Sequence, residues 1–297
     1  MNPVIEVKKL NKTYGSETVV KDISFAVEEN KIYGLLGRNG AGKTTIMHML
    51  TAQLFPTSGE MKVFGENPYE NNRVLSRLCF IKESQKYPDS FRVADVLAVA
   101  ATLYPDWDQA YAQQLIEEFR LPLKRKMKKL SRGMLSSVGI IVGLASRAPL
   151  TIFDEPYLGL DAVARNLFYE RLIEDYAEHP RTVILSTHLI DEVSNLLEHV
   201  IVIDNGSILI NENADELRDK AYTAVGSAQH VSTYTAGKRV IHQESLGGMM
   251  TATIWGKGDR ANRREAEGLG IQFAQVTLQQ LIVHLTSDKG NGRVVDC

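Results

Sequence analysis

The sequence predicts an α/β fold with a small α+β appendage at its C-terminal end, and three observations carry that prediction. Gly34 to Thr45 reads GLLGRNGAGKTT, an apolar run opening onto glycines, one lysine and two threonines. PLTIFDEP and RTVILSTH are short, apolar, β-rich runs bounded by breakers, the pattern of buried parallel strands. Beyond about residue 222 the character changes to short strand-like runs and one closing helical pattern.

Taken in order, VIEVKKL and KDISFAVEENKIYGLLG alternate like half-buried strands, with Ile23, Phe25 and Val27 on one face. KIYGLLG feeds straight into the glycine loop, and TTIMHMLTAQL after it reads as a helix. RLCFIKES is a further strand. From Val93 to Leu121 the apolar spacing is helical, through Val96, Leu97, Val99, Ala100, Leu115, Ile116 and Phe119. It is broken by YPDWD, whose Pro105 and Asp106 suit a helix start. HVIVIDNGSILIN predicts a hairpin turning on Asn205-Gly206. The remainder combines strand-like MTATIWG with the helix TLQQLIVHLTS, so the expected domains are 1–221 and 222–297.

Bulk properties narrow the function. Hydrophobic residues make up 44% and charged residues 24%, ordinary for a globular protein. Lys and Arg total 34 against 36 Asp and Glu, a net charge of −2 that gives no electrostatic case for nucleic acid. Cys79 and Cys297 lie far apart, which argues against a disulfide framework and fits a reducing cytoplasm. The start lacks the basic-then-apolar pattern of a signal peptide. The longest apolar stretch, near Val138 to Ala145, falls short of the ~20 residues a membrane span requires, so work at a membrane would go through a partner.

Gly37-Arg38-Asn39-Gly40-Ala41-Gly42-Lys43-Thr44 fits G-x-x-x-x-G-K-[ST] at every fixed position. The glycines let successive N–H groups turn inward as an anion nest at a helix N-terminus. Lys43 brings a point charge to the β- and γ-phosphates, and the Thr44 hydroxyl can ligate Mg²⁺; Thr45 joins the candidate contacts. A nucleoside triphosphate is the expected ligand. Asp154 ends a buried strand, where it can hold Mg²⁺. Glu155 beside it is the candidate general base, against the blander reading of a solvated strand end. The run LKRKMKKL, Leu123 to Leu130, reads as a solvated basic face rather than a site for anionic lipid.

KLSRGMLSSVGIIVGLASRAPLTIFDEP separates this chain from other phosphate-loop proteins. It resembles the ATP-binding-cassette (ABC) ATPases, whose signature is written LSGGQ, and the resemblance covers about residues 3 to 215. It implies the ABC ATPase fold, a mixed sheet core with a helical subdomain over about 86–147. It further implies that Ser131 and the N–H groups around Gly133 reach the γ-phosphate bound on a second subunit, identical or paralogous. Ser131 also reads as a plain helix cap. Arg132 and Met134 depart from the signature, and Arg132 either adds a contact at the anion or points into water. LSRGM is similar to the variant of ABC-2-type export ATPases.

By the same resemblance, His188 in STHLIDEV contacts the γ-phosphate and helps hold Glu155. Gly159-Leu160-Asp161 matches the D-loop, and Tyr14 in NKTYG matches the aromatic that stacks on adenine. The family's switch glutamine is less tidy here. Counting back from FRVADVL favours Glu83, residue type favours Gln85, and Gln85 is taken as the candidate at the metal. The implied function is an ATPase, peripheral on the cytoplasmic membrane face, that moves a separate transmembrane permease subunit. A soluble ABC ATPase acting on nucleic acid or ribosomes is the alternative, set back by the single cassette and the absence of sustained heptads. A small-molecule kinase would leave LSRGM, DEP and STH unexplained.

Overall fold

The computed structural model describes residues 3–83, 85–256, 266, 268 and 270–287. Cys297 lies outside them, and Cys79 is a buried free thiol. The chain divides into two compact units. One takes residues through His188 together with Leu196–Asn211; the other takes Leu189–Asn195 and the described residues from Glu212 on.

In the first unit, β1 (Ile5–Tyr14), β2 (Glu17–Val27) and β4 (Ser58–Val63) form an antiparallel sheet ordered β2-β1-β4. Ile23, Phe25 and Val27 alternate inward as their spacing predicts. The six-stranded sheet is ordered β5-β6-β7-β3-β8-β9. Its strands are β3 (Ile32–Leu36), β5 (Leu78–Lys82), β6 (Leu150–Asp154), β7 (Thr182–Thr187), β8 (His199–Asp204) and β9 (Ser207–Asn213). Every residue of β3, β6 and β7 is buried, as central parallel strands covered on both faces require. β8 turns into β9 on Asn205 and Gly206, both at positive φ (49° and 83°), the turn their residue types favour.

Helix α1 (Lys43–Leu50) comes straight after the glycine loop and buries Ile46, Met47, Met49 and Leu50 in the core shared by the two sheets. Each such side chain contributes about 1.5–3 kcal/mol of burial. The short α2 (Asn72–Leu75) precedes β5. The helical pattern after Val93 resolves into α3 (Val93–Leu103) and α4 (Gln109–Glu118). α4 starts three residues later than YPDWD suggests, because Asp108 Oδ1 caps it through Tyr111 N at 2.8 Å. A 3₁₀ turn at Met127–Lys129 buries Met127 while the basic side chains around it stay exposed, as a solvated face does. Then come α5 (Arg132–Ala145) and α6 (Ala162–Glu178).

In the second unit, β10 (Ala221–Ser227), β11 (Arg239–Leu246), β12 (Met249–Trp255) and β13 (Gln272–Gln275) pair antiparallel in the order β11-β12-β10-β13. It also holds α7 (Ile190–Val193), α8 (Ala214–Arg218), α9 (Ala228–Thr235) and α10 (Leu278–Ser287). Tyr222, Ala224, Val231, Ala252 and Ile254 are among its core residues. The unit begins before residue 222: α8 is tied into it by the Arg218 guanidinium on the Ser194 carbonyl, and Lys220 pairs with Glu212 at 2.7 Å.

Candidate functional site

Parallel register brings the candidate residues to one edge of the six-stranded sheet. Leu36 of β3 lies opposite Thr187 of β7, Asp154 of β6 opposite Ser186, and Lys82 of β5 opposite Asp154. The residues just past these strands therefore project from the same carboxyl edge, where ligands of open α/β sheets bind. After β3 comes the glycine loop, after β6 Glu155, after β7 His188, and after β5 Glu83.

The loop's backbone is dictated by close approach. Gly37 has φ +148°, and a Cβ there would stand 2.2 Å from the Ile203 carbonyl oxygen. Only glycine fits. Helix α1 opens on Gly42 with no side-chain cap, so its first N–H groups keep their capacity for an anion. Lys43 is buried, its Nζ donating to the carbonyls of Gly37 (2.7 Å) and Arg38 (3.3 Å). Burial pushes its ammonium below the ordinary lysine range, opposed by the charges of Glu155 and Asp154. A triphosphate arriving here would meet a cation already stripped of much of its water.

Thr44 Oγ1 donates to Asp154 Oδ2 at 2.8 Å, while Asp154 Oδ1 is buried without a hydrogen bond from any described residue. A leftover carboxylate oxygen beside a threonine hydroxyl is a hard donor set that suits Mg²⁺, which takes few protein ligands and completes its shell with phosphate and water. Glu155 sits at φ +50°, an unusual place for a non-glycine residue and one found at functional sites. Its Oε2 takes His188 Nδ1 at 2.9 Å, and its Oε1 is buried with no partner among the described residues.

These groups line one cavity of about 450 Å³, with Asn39, Gly40, Gly42, Lys43, Thr44 and Thr45 on the loop side. Asp154, Glu155, His188 and Glu83 stand on the other. Gly37, Arg38 and Ala41 shape the loop without being part of that wall. Residue type pointed to Gln85, but Glu83 is the residue on the cavity wall. β5 ends at Lys82, so Glu83 is the first residue past the edge, while Gln85 lies on in a turn closed to Lys82 O.

Three further candidates stand apart from this wall. Tyr14 ends β1 opposite Glu17, 48% exposed, with Lys12 Nζ 5.0 Å from its ring; Val19 of the same hairpin is the residue that reaches the cavity. Ser131 caps α5 by accepting from Met134 N at 3.2 Å. Gly133 lies so close to the Gly159 carbonyl that a Cβ would stand 2.5 Å from it, a packing demand the signature spacing does not announce. Arg132, its side chain 65% exposed, pairs with Glu83 on the cavity wall.

Sequence reasoning missed Tyr157. Its ring is 3% exposed and its hydroxyl lies among Glu155, Thr187 and His188. The available signal was a tyrosine two residues past a candidate base at a buried strand end, where its O–H requires a partner.

Residues 20–158 match the family model described as ABC transporter. The bacitracin transport ATP-binding protein BcrA of Enterococcus faecalis is 34% identical over 228 residues, covering 75% of this chain and 74% of that one. The Nod factor export ATP-binding protein I of Ralstonia nicotianae is 33% identical over 226 residues, 72% of this chain and 68% of that one. A solved structure of the ATP-binding subunit of an ABC transporter aligns with a TM-score of 0.66 at 27% identity, over 72% of this chain and 92% of that one. Nothing among these relatives favours the nucleic-acid alternative. No helix among the described residues is long and apolar enough to cross a membrane.

Proposed function

The chain belongs to the ABC transporter family as an ATP-binding ATPase subunit, and from that premise we propose that it powers export through a separate membrane-spanning partner, as one of two cassettes that close on ATP. The observation that carries this reading is the convergence of Lys43, Thr44, Asp154, Glu155 and His188 on one cavity at the sheet edge. The signature departure LSRGM and the export and transport roles named for the relatives support the direction.

In this reading the loop N–H groups and Lys43 cradle the phosphates. Thr44 and Asp154 would hold Mg²⁺, whose charge offsets that of the phosphate oxygens. Glu155 takes a proton from the water that attacks the γ-phosphorus as the bond to ADP breaks. His188 keeps Glu155 in place and meets the γ-phosphate. Ser131 and the N–H groups near Gly133 of a second cassette complete the site, since within one chain they stand apart from it. ATP then favours the closed pair because it touches both chains only there. The assembly sits on the cytoplasmic face of the membrane, held by its partner.

The test is Glu155→Gln. ATP binding should persist, turnover should fall by ~10²-fold or more, and light scattering should show a two-chain complex that depends on ATP. Hydrolysis at the unaltered rate would overturn the base, and a single chain at saturating ATP, with its companion subunits present, would overturn the pair.

A further inference from the structure

We propose that Tyr157 is a positioning residue of the hydrolytic site, its hydroxyl fastening Glu155 and His188 into one unit that leaves a single carboxylate oxygen for water. The inference rests on the reading of Glu155 as general base. Tyr157 stands one position beyond the Asp-Glu-Pro run and belongs to none of the groups that define the cavity wall.

The geometry gives that hydroxyl little freedom. Tyr157 Oη has one proton, and it donates to Glu155 Oε2. It accepts from Thr187 Oγ1 at 2.7 Å and from the His188 backbone N–H at 3.2 Å. With the Thr187 hydroxyl and the His188 N–H aimed at its oxygen, its own proton is directed to the carboxylate. His188 Nδ1 lies 3.2 Å from the same oxygen and 2.9 Å from Glu155 Oε2. Oε2 is thus held from two sides, and Oε1 is the oxygen with no partner among the described residues. Burial, with the hydrogen bond to Glu155 adding to it, pushes the phenol above its ordinary range, so at neutral pH it keeps its proton.

This arrangement answers a problem set by the backbone. Glu155 sits in the left-handed region, where a non-glycine residue persists only if its surroundings over-determine it. The Glu155 N–H bond to Ser186 O at 3.1 Å fixes the main chain, and Tyr157 fixes the side chain. Its ring also meets the His188 ring edge-on, centroids 5.9 Å apart. A charge-carrying pair that must act within hydrogen-bond tolerance is thereby mounted on a buried, rigid aromatic.

The experiment compares Tyr157→Phe, Glu155→Gln and the double variant in the full chain. Tyr157→Phe keeps the ring in its slot and removes only the hydroxyl. It should lower kcat about 10-fold or more, with KM for ATP and equilibrium ATP binding unchanged. In the Glu155→Gln background the same change should do nothing further, since the two act as one unit. Equal kcat in Tyr157→Phe, a raised kcat, or an undiminished fall in the double variant would each overturn the proposal. Retained hydrolysis in Glu155→Gln alone would instead remove the general base on which it rests. Should Tyr157→Phe fail to fold, 3-fluorotyrosine at 157 keeps the shape and strengthens the donor. The stronger hydrogen bond draws charge from Glu155 and makes it a weaker base, so kcat should fall severalfold at constant ATP affinity, and no change in kcat would overturn the proposal.

Discussion

Glu83 Oε1 and Arg132 Nη2 meet at 2.5 Å, joining the residue just past β5 to the first residue of α5. Arg132 stands where the LSGGQ signature has glycine, and its charge answers that of Glu83. Glu83 puts a carboxylate on the wall of a cavity meant for a polyanion, and the guanidinium offsets that charge. Both side chains are substantially exposed, 41% and 65%, so the bond itself is worth ~1 kcal/mol or less in stability. Its weight lies in the charge that the cavity shows to phosphate.

Arg132→Ala should therefore weaken ATP binding about 3- to 5-fold, the equivalent of ~1 kcal/mol, and Glu83→Gln on top of it should restore the affinity. Titration of nucleotide into the two variants checks this. An affinity unmoved by Arg132→Ala would show that the carboxylate is not felt at the phosphates.

Lys43→Ala should abolish the stabilisation that ATP gives the folded chain. A ligand that binds only the native state raises the unfolding midpoint in proportion to the logarithm of its concentration over Kd. The unaltered chain should show that rise in a thermal melt with ATP, and Lys43→Ala should melt at the same temperature with and without it. A preserved rise would relocate the nucleotide.

Asp175 of α6 is buried and pairs with Arg147 and, at 2.5 Å, with Arg181. Arg147 in turn reaches Asp108, the cap of α4, at 2.9 Å. Removing the shared anion takes the buried counter-charge from Arg181 and leaves Arg147 with Asp108 alone. Asp175→Asn should cost about 3–5 kcal/mol, read as a fall in the urea midpoint at constant slope. Replacing the exposed Glu174 by Gln is the control, expected within ~0.5 kcal/mol.

The sequence speaks most clearly where neighbours in the chain decide the structure. The unbroken apolar runs of β3, β6 and β7 declare strands buried on both faces, and the spacing from Gly37 to Thr44 declares the loop, because both depend on a handful of adjacent residues. Asn205-Gly206 declares its own turn for the same reason. Where pairing across the fold decides, residue type misleads. Gln85 had the right chemistry, yet the register of Lys82 against Asp154 delivers Glu83 to the edge. Arg132 finds its partner 49 positions away, and Tyr157 reaches His188 across 31. No local pattern encodes either meeting. The Gly133 contact with Gly159 is likewise a fact of two backbones approaching, visible only once both helices and loops are in place.

The chain leaves the first unit directly after His188, and the next seven residues, Leu189–Asn195, belong to the second. There Asp191 N donates to Gln279 and the Ser194 carbonyl accepts from Arg218. Shortening the polypeptide at the end of the cassette would thus not be a clean excision: it would strip those seven residues of their neighbours and leave the imidazole tethered to a loose thread. The second unit is thus joined to the cavity wall by covalent adjacency: three positions separate His188 from Asp191, whose N–H is held by Gln279 of α10.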